Sequence, residues 1–318
     1  MKIVVTGSIA YDYLMFFPGR FTDHLLPDHL DNVNLSFLVD SMKRQRGGNA
    51  PNISYTLGLL QGNPTVMATA GQDFGEYRTW LEKHGVDTSG IVEIEEEYCA
   101  SFFVSTDENQ NQIASFYTGA MAYANKLTFA QYAPDAELVI ISPNDPAAMR
   151  NYVQECKALG ITYIYDPSQQ TVRLSAEDLR EGLAGCRLLT TNEYEFNLIQ
   201  EKTGLDKEDM LQLAGGLLIT HGKQGSTIYV DGQVYEIPAV PPMGMTEPTG
   251  AGDAFRGGLM RGMQLGLPWD ISGRMGALAA TYVLENFGTQ SHRFTPAEFV
   301  ARYRRYFDDN GALDALLE

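Results

Sequence analysis

Cysteine is scarce in this sequence. The 318 residues include three cysteines, which lie far apart, and none belongs to a C-x-x-C pair. The five histidines do not cluster with them. A structural zinc site is not expected, because such sites use closely spaced Cys and His ligands. An odd number of scattered thiols is typical of a reducing compartment.

Long hydrophobic runs are absent from the sequence, and basic residues are fewer than acidic ones. No run approaches the roughly 18 apolar residues of a membrane span, and the opening MKIVVTGSIAYD predicts a strand rather than a targeting segment. The 23 basic residues face 40 acidic ones, for a net charge of −17. Because such a surface repels phosphate backbones, a nucleic-acid partner is not expected. We expect a cytoplasmic protein with no membrane partner, in which a local site can still bind a small anion.

Two common nucleotide-binding signatures are missing. Only Gly7 follows the first predicted strand, so the G-x-G-x-x-G dinucleotide fingerprint is absent. Gly222 and Lys223 are followed by Gln224 rather than Ser or Thr, so there is no Walker loop. These absences disfavour a nicotinamide-dependent dehydrogenase and a P-loop kinase.

The sequence does contain a regular alternation of short apolar runs and helical patterns, and 44% of its residues are hydrophobic. The predicted strands are Ile3–Thr6, Thr65–Ala68, Leu138–Ser142, Thr162–Tyr165, Leu188–Thr190, Leu217–Thr220 and Ser226–Val230. The predicted helices between them include Ala50–Leu60, Phe74–His84, Ala147–Leu159 and Gly250–Leu265. Wholly apolar strands that alternate with helices predict an α/β fold with a mostly parallel sheet covered on both faces.

Two stretches interrupt this rhythm, residues 12–46 and 94–121. The second alternates with period 2 around a polar turn, which predicts a hairpin. If the hairpin is symmetric about Asn109, Phe102 lies opposite Phe116 on one face. The two stretches together could form a small sheet beside the main domain.

Polar clusters follow several of the predicted strands. GSIAYD, PND, DPSQQ, TNEYE and HGKQG each begin where an apolar run ends. Any one of them could be an ordinary turn or helix cap. As a series they indicate one binding crevice, because ligands of open α/β sheets bind at the carboxyl ends of the strands.

The stretch EPTGAGDAFRGGL places small residues and Asp253 where a helix begins. The amides of Ala251 to Asp253 would be free donors there, and a helix start holds anionic oxygens. Asp253 could be a simple helix cap, or it could accept a proton from a hydroxyl that attacks a phosphoryl group held over those amides. A carboxylate beside an anion hole suits phosphate transfer to an alcohol.

Four motifs, in order along nearly the whole chain, resemble those of the ribokinase-like (PfkB-type) kinases. RGGNAPN, residues 46–52, resembles their double-glycine motif, and TNEYE, residues 191–195, contains their N-x-x-E motif. THGKQG, residues 220–225, resembles their nucleotide loop, and PTGAGDAFRGG, residues 248–258, resembles their carboxy-terminal signature. The resemblance implies a three-layer α/β/α fold in a single chain, 1–318, with a small β-sheet lid formed by roughly residues 13–45 and 95–121.

Further segments are similar to the bacterial adenosine kinases within this family. They are GSIAYDYLMFFPGRF, LLPDHL, LSFLVD, QIASFYTGAM and DPSQQ. This similarity implies a purine-salvage enzyme that transfers the γ-phosphate of Mg-ATP to the 5′-hydroxyl of adenosine. A broader nucleoside or sugar kinase, or a non-catalytic nucleoside-binding protein, stays open as an alternative.

The resemblance also implies roles for individual residues. Asp253 would be the general base, and Gly250, Ala251 and Gly252 would form the anion hole. The implied substrate-binding residues are Ser8, Asp12, Ser36, Gly48, Asn52, Phe102, Phe116, Gln170 and Arg173, with Gln169 an equal candidate for the glutamine role. Thr220, Gly222 and Gly225 would line the ATP site, and Asn192 and Glu195 would hold nucleotide and Mg²⁺, the metal through water.

Three further expectations rest on the resemblance. Glu247 stands where the family commonly has Asp in its monovalent-cation loop, so a K⁺ requirement is open. Arg256 could pair with ATP phosphates or simply with an acidic surface. The apolar hairpin could pair two subunits into a homodimer through the lid.

Overall fold

A computed structural model describes residues 1–24, 34–244 and 248–317. Its strands are β1 Ile3–Thr6, β2 Ala10–Phe16, β3 Ser41–Gly47, β4 Thr65–Gly71, β5 Ile91–Ile94, β6 Ala100–Thr106, β7 Gln112–Tyr117, β8 Leu138–Ile141, β9 Thr162–Tyr165, β10 Leu188–Asn192, β11 Gly216–Thr220, β12 Ser226–Val230 and β13 Gln233–Ile237. Its α-helices are α1 Asn49–Leu59, α2 Gly75–Lys83, α3 Phe129–Tyr132, α4 Pro146–Leu159, α5 Ala176–Leu183, α6 Glu193–Thr203, α7 Lys207–Leu213, α8 Ala251–Gln264, α9 Trp269–Leu284 and α10 Pro296–Tyr303.

Within the described residues, nine strands form the main sheet, in the order β13-β12-β11-β10-β9-β8-β1-β4-β5. Neighbours pair in parallel from β5 across to β11, and β12 and β13 are antiparallel. The prediction of a mostly parallel sheet is therefore confirmed. The carboxyl ends of the parallel strands share one edge, and the polar clusters that follow the strands meet there.

Helices cover both faces of this sheet, because the strand side chains alternate between two apolar cores. In β1, Ile3 and Val5 pack in one core, with side chains of α1, α2, α8 and α9. Val4 points the other way and packs in the second core, with side chains of α4, α5, α6 and α7. The predicted three-layer α/β/α arrangement is confirmed.

The other four strands form the lid sheet, in the order β3-β2-β6-β7. The hairpin of β6 and β7 has the predicted register, with Phe102 opposite Phe116. β2 and β3 come largely from the first irregular stretch, which has no clean helix pattern, and β2 pairs with both β3 and β6. The small sheet beside the main domain is confirmed.

Helix α8 packs unusually close to α9. A Cβ added at Gly258 would lie 2.6 Å from the carbonyl oxygen of Met275. No larger residue fits there without moving backbone, so Gly258 allows α8 to pack closely against α9. Across the described parts of the chain, no helix has the length and apolar character to cross a membrane.

Candidate active site

A cavity of about 630 Å³ lies along the carboxyl ends of the parallel strands, between the main sheet and the lid sheet. Sixteen of the residues singled out from the sequence line it. They are Ser8, Asp12, Gly48, Asn52, Phe102, Phe116, Gln169, Gln170, Arg173, Asn192, Glu195, Thr220, Gly250, Gly252, Asp253 and Arg256. Ser8 and Arg256, 248 positions apart in sequence, thus share one cavity, as the series of strand-end clusters predicted.

The amino terminus of α8 forms one wall of the cavity. Gly250 precedes the helix with φ +83°, a left-handed conformation that favours glycine. The amides of Gly252 and Asp253 lie in the first helical turn, where an α-helix has no carbonyl of its own to accept from them. The Ala251 amide donates instead to the carbonyl of Pro248, at 3.2 Å. The expectation of a free amide at Ala251 is therefore wrong for this conformation, since the turn uses that donor.

Asp253 lies on this first turn with only 7% of its surface exposed. Asn49 donates from Nδ2 to Oδ1 at 3.0 Å, and Asn52 donates from Nδ2 to Oδ2 at 2.9 Å. Burial raises the pKa of Asp253, while Arg256 and the two amides oppose that rise. The result is a desolvated, oriented carboxylate, which is the form that a general base requires.

Gln290 holds the side chain of Asn52 in place. Gln290 donates from Nε2 to Asn52 Oδ1 at 2.9 Å and to the hydroxyl of Tyr77. This contact fixes the amide so that its Nδ2 faces Asp253. This contact joins two residues that lie 238 positions apart in the sequence.

The double glycine allows α1 to begin very close to the end of β1. Gly48 has φ +92°, and a Cβ there would lie 2.4 Å from the carbonyl oxygen of Ser8. The Ser8 hydroxyl accepts from the amide of Asn49 at 3.4 Å. Ser8 and Gly48 thus position the start of α1, where Asn49 and Asn52 lie next to Asp253.

The N-x-x-E motif forms a capping box at the start of α6. Asn192 Oδ1 accepts from the Glu195 amide at 2.8 Å, and Glu195 Oε2 accepts from the Asn192 amide at 2.9 Å. Both residues also border the cavity, so oxygen ligands of the type that Mg²⁺ prefers are present. Within the described residues no group of three or more His, Cys, Asp and Glu side chains gathers as a metal centre. The donors fit an ion that keeps much of its water shell and binds mainly to phosphate.

Arg256 faces Asp253 across the first turns of α8. Its Nη2 donates to Asp166 Oδ1 at 2.6 Å, and its Nη1 lies 4.0 Å from Asp253 Oδ1. Arg256 thus pairs with a buried carboxylate rather than with an acidic surface, and because it also lines the cavity its pairing with ATP phosphates stays a prediction. Sequence reasoning noted the DPSQQ cluster but did not single out Asp166. Its only signal was its position directly after a buried strand.

The lid sheet supplies the opposite end of the cavity. Phe102 and Phe116 are direct cross-strand neighbours on one face of the hairpin. Side chains so placed stand side by side, so they can flank a flat ligand but cannot enclose it between them. Asp12 lies at the same end, because it is the neighbour of Phe102 between β2 and β6. Arg173 lines the cavity from the turn after β9. Gln169 and Gln170 both line the cavity, and Gln169 donates to Asn49 Oδ1 at 3.1 Å, so neither glutamine is favoured by position.

Four of the sequence-derived residues do not line the cavity. Ser36 is exposed in the connection between β2 and β3. Gly222 and Gly225 lie in the turn after β11, and the backbone of Gly225 packs against Ile237. Ala251 is the first residue of α8, with its side chain outside the cavity lining. The roles expected of Glu247 and of the LLPDHL segment, residues 25–30, lie outside the described residues.

The sequence matches a known protein family over most of its length. The model of the pfkB family carbohydrate kinases matches residues 2–296. A nucleoside kinase of Methanothermobacter thermautotrophicus is 30% identical over 305 residues, which cover 95% of each chain. A cytidine kinase of Thermococcus kodakarensis is 26% identical over 302 residues, 92% of this chain and 99% of that protein.

A solved structure of a nucleoside kinase from Burkholderia thailandensis, in complex with inosine, has 34% sequence identity and a TM-score of 0.85. The alignment covers 96% of this chain and 98% of that one. A second structure of the same protein, described as an ADP-inosine complex, aligns with a TM-score of 0.83 and 35% identity over 96% of each chain. With the family model matching nearly all of its length, this chain belongs to the pfkB family of carbohydrate kinases and is an ATP-dependent phosphotransferase with an alcohol group as acceptor.

Proposed function

We propose that this kinase transfers the γ-phosphate of Mg-ATP to the 5′-hydroxyl of a nucleoside, and that adenosine is its preferred acceptor. The observation that carries the proposal is the content of one cavity. Asp253 and the start of α8 lie at one end, and the aromatic pair Phe102 and Phe116 lies at the other. The first end suits phosphoryl transfer to an alcohol, and the second suits a flat base.

The proposed chemical step uses Asp253 as the base. The 5′-oxygen attacks the γ-phosphorus, and its proton passes to the Asp253 carboxylate. The new oxygen–phosphorus bond replaces the bond between the γ-phosphorus and the β,γ-bridging oxygen, which leaves with ADP. The amides of Gly252 and Asp253 point toward the developing negative charge, so the first turn of α8 stabilises the transition state.

The nucleotide end of the cavity is bordered by Asn192, Glu195 and Thr220. Mg²⁺ held there, through water, by Asn192 and Glu195 would neutralise charge on the β- and γ-phosphates. The acidic carboxylate of Glu195 would otherwise repel the triphosphate. Thr220 ends β11, so its hydroxyl is positioned by the main sheet rather than by a loop.

The acceptor end favours a nucleoside over a bare sugar. An aromatic pair on the lid offers stacking area that a purine ring can use, whereas a sugar needs mainly hydrogen bonds. The inosine complex of the Burkholderia relative supports a purine nucleoside and makes inosine the second candidate acceptor. Asp12, at the same end, is suited to accept hydrogen bonds from ribose hydroxyls.

The test is phosphate transfer from Mg-ATP to adenosine, inosine, guanosine, cytidine, ribose and fructose 6-phosphate, each at the same concentration. The wild type and Asp253→Asn are measured together, and nucleoside binding is measured for both by calorimetry. We expect the highest kcat/KM with adenosine, and loss of turnover but not of binding in the variant.

Each of the other outcomes rejects a particular part of the proposed function. A higher kcat/KM with inosine keeps the nucleoside kinase and rejects the adenosine preference. Turnover confined to ribose or fructose 6-phosphate rejects a nucleoside acceptor. Tight nucleoside binding with no turnover on any acceptor rejects catalysis on nucleosides.

We also propose that two copies pair through the lid sheet. β7 is an edge strand of that sheet, and all six of its residues are exposed. An exposed apolar strand edge is prone to pair with another strand. Light scattering at micromolar concentration should give a dimeric mass for the wild type and a monomeric mass for Ile113→Lys. A monomeric wild type would reject this assembly.

A further inference from the structure

The ion pair between Asp166 and Arg256 lies beside the reacting end of the cavity. Asp166 follows β9 directly and is completely buried, and the Arg256 side chain is 12% exposed. Nη2 of Arg256 donates to Oδ1 of Asp166 at 2.6 Å, and Nε lies 2.6 Å from Oδ2. Nε also donates to the hydroxyl of Thr190, at 3.4 Å. One edge of the guanidinium is thereby held against the ends of β9 and β10.

The other edge of the guanidinium lies over the first turn of α8. A Cβ added at Gly252 would lie 2.7 Å from Nη1 of Arg256, so the absence of a side chain at Gly252 makes room for this nitrogen. Nη1 is also 4.0 Å from Asp253. The positive charge is thus placed beside the base and next to the amides where phosphate oxygens would bind.

Charge balance shows why this cation matters. Among the cavity-lining residues that the structure describes, the cationic ones are Arg173 and Arg256, and only Arg256 lies on α8, since Arg173 lies in the turn after β9. Near the start of α8 the carboxylates of Asp253, Glu195 and Asp166 outnumber the single Arg256. A triphosphate entering this region needs Arg256 in a fixed place, because a mobile guanidinium would pair with Asp253 or Glu195 instead of with a phosphate.

Asp166 does not line the cavity, so it cannot touch a ligand directly. Burial raises the pKa of Asp166, and the adjacent guanidinium opposes that rise. A buried carboxylate of this kind is unfavourable unless a partner balances it. The pair is therefore suited to holding Arg256 in one orientation rather than to adding stability.

We propose that Asp166 is a positioning residue that holds Arg256 across the first turn of α8, so that Nη1 contacts the phosphoryl group during its transfer. The inference rests on the proposed kinase reaction. Arg256 stabilises charge that develops on the transferred group, and Asp166 acts only through Arg256.

A double-mutant cycle tests the proposal, with wild type, Asp166→Asn, Arg256→Gln and the double variant assayed with Mg-ATP and the best acceptor. We expect Arg256→Gln to lower kcat about 100-fold, as the loss of one transition-state donor does, and Asp166→Asn to lower it about tenfold. The double variant should be no slower than Arg256→Gln alone, because Asp166 has no role once Arg256 is gone. Nucleoside affinity should be unchanged throughout.

Chemical rescue separates positioning from a general structural effect. In Arg256→Ala, added guanidinium ion should restore kcat at least severalfold, and the restoration should disappear when Asp166 is also Asn. Asp309→Asn is the matched control, since Asp309 is another buried carboxylate, 2.9 Å from Arg304 and distant in the fold. It should lower the melting temperature without changing kcat.

Three results would overturn the inference. They are wild-type kcat in Asp166→Asn, multiplicative losses in the double variant, and guanidinium rescue that does not depend on residue 166. If Asp166→Asn does not fold, Arg256→Lys still decides, because a lysine keeps the charge but not the fork that Asp166 holds, and wild-type kcat in that variant would reject the proposal. If the wild type itself transfers no phosphate to any nucleoside, the proposed function fails and not merely this inference.

Discussion

The two ends of the cavity are built in different ways. At the α8 end, Asp253 is 7% exposed and both of its oxygens accept hydrogen bonds from amides that are themselves held. At the lid end, Phe116 is 51% exposed, on an edge strand without a buried residue. The chemistry of phosphate transfer is the same for every acceptor, so a fixed site suits it, whereas in the proposed function the choice of acceptor depends on the lid.

The largest effect should come from the base. Asp253→Asn keeps the shape of the side chain but cannot accept the hydroxyl proton, and we expect kcat to fall about 10³-fold with nucleoside affinity retained. The measurement is steady-state phosphate transfer combined with calorimetric binding. Asp206→Asn, at the start of α7 and far from the cavity, is the control and should keep its activity. Equal loss of binding in Asp253→Asn would show that the residue recognises substrate instead.

The packing of α8 against α9 should be sensitive to the addition of one methyl group. In Gly258→Ala the new Cβ would meet the Met275 carbonyl at 2.6 Å, and we expect a loss of about 2 kcal/mol in the free energy of unfolding. Gly75→Ala is the matched control, because nothing lies within 4 Å of a Cβ there, and it should gain about 0.5 kcal/mol. Chemical denaturation measures both. A neutral Gly258→Ala would show that α8 and α9 can separate at little cost.

A smaller effect is expected at the lid. Phe116→Ala removes one aromatic contact with the base, which we expect to cost about 1 kcal/mol of nucleoside binding free energy. The KM for the nucleoside should therefore rise about fivefold, and kcat should change little. Phe103→Ala is the control, since Phe103 lies on the opposite face of β6 and stacks on Tyr13. If both variants behave alike, the effect comes from the lid sheet as a whole rather than from stacking on the base.

The smallest effect should be a shift in pH dependence. Asp253 must be ionised to act, and its pKa is raised by burial and held down in part by Asn49. Activity should therefore fall as the pH drops through this raised pKa, and in Asn49→Ala the fall should begin at higher pH. The profile of kcat/KM against pH measures this shift, with Asn151→Ala on the exposed face of α4 as the control. A shift to lower pH would contradict the assignment.

The sequence predicted the strands and the fold class better than the side-chain contacts. The apolar runs predicted β1, β9 and β12 with their observed ends, because burial on both faces leaves a clear signal. The hairpin register followed from the symmetry about Asn109. β2 was not found, because AYDYLMF mixes polar and apolar residues on a strand that faces a cavity on one side.

The side-chain contacts of the site could not be predicted in the same way. Asn49 and Asn52 meet Asp253 across 204 and 201 positions, and Arg256 meets Asp166 across 90. Such pairs depend on how strands order themselves in the sheet, which local patterns do not encode. The family resemblance implied Asp253 and Asn52 but gave no reason to examine Asp166.

The two asparagines have a consequence for water. Each oxygen of a carboxylate has two acceptor positions, and on Asp253 an amide takes one of them on each oxygen. A hydroxyl can therefore reach the base only from the remaining directions, toward the cavity. A nucleoside bound at the lid end presents its hydroxyl to Asp253 from the cavity side. A water molecule has no second binding contact that would orient it toward Asp253 in this way. This arrangement should keep ATP hydrolysis slow whenever the acceptor is absent.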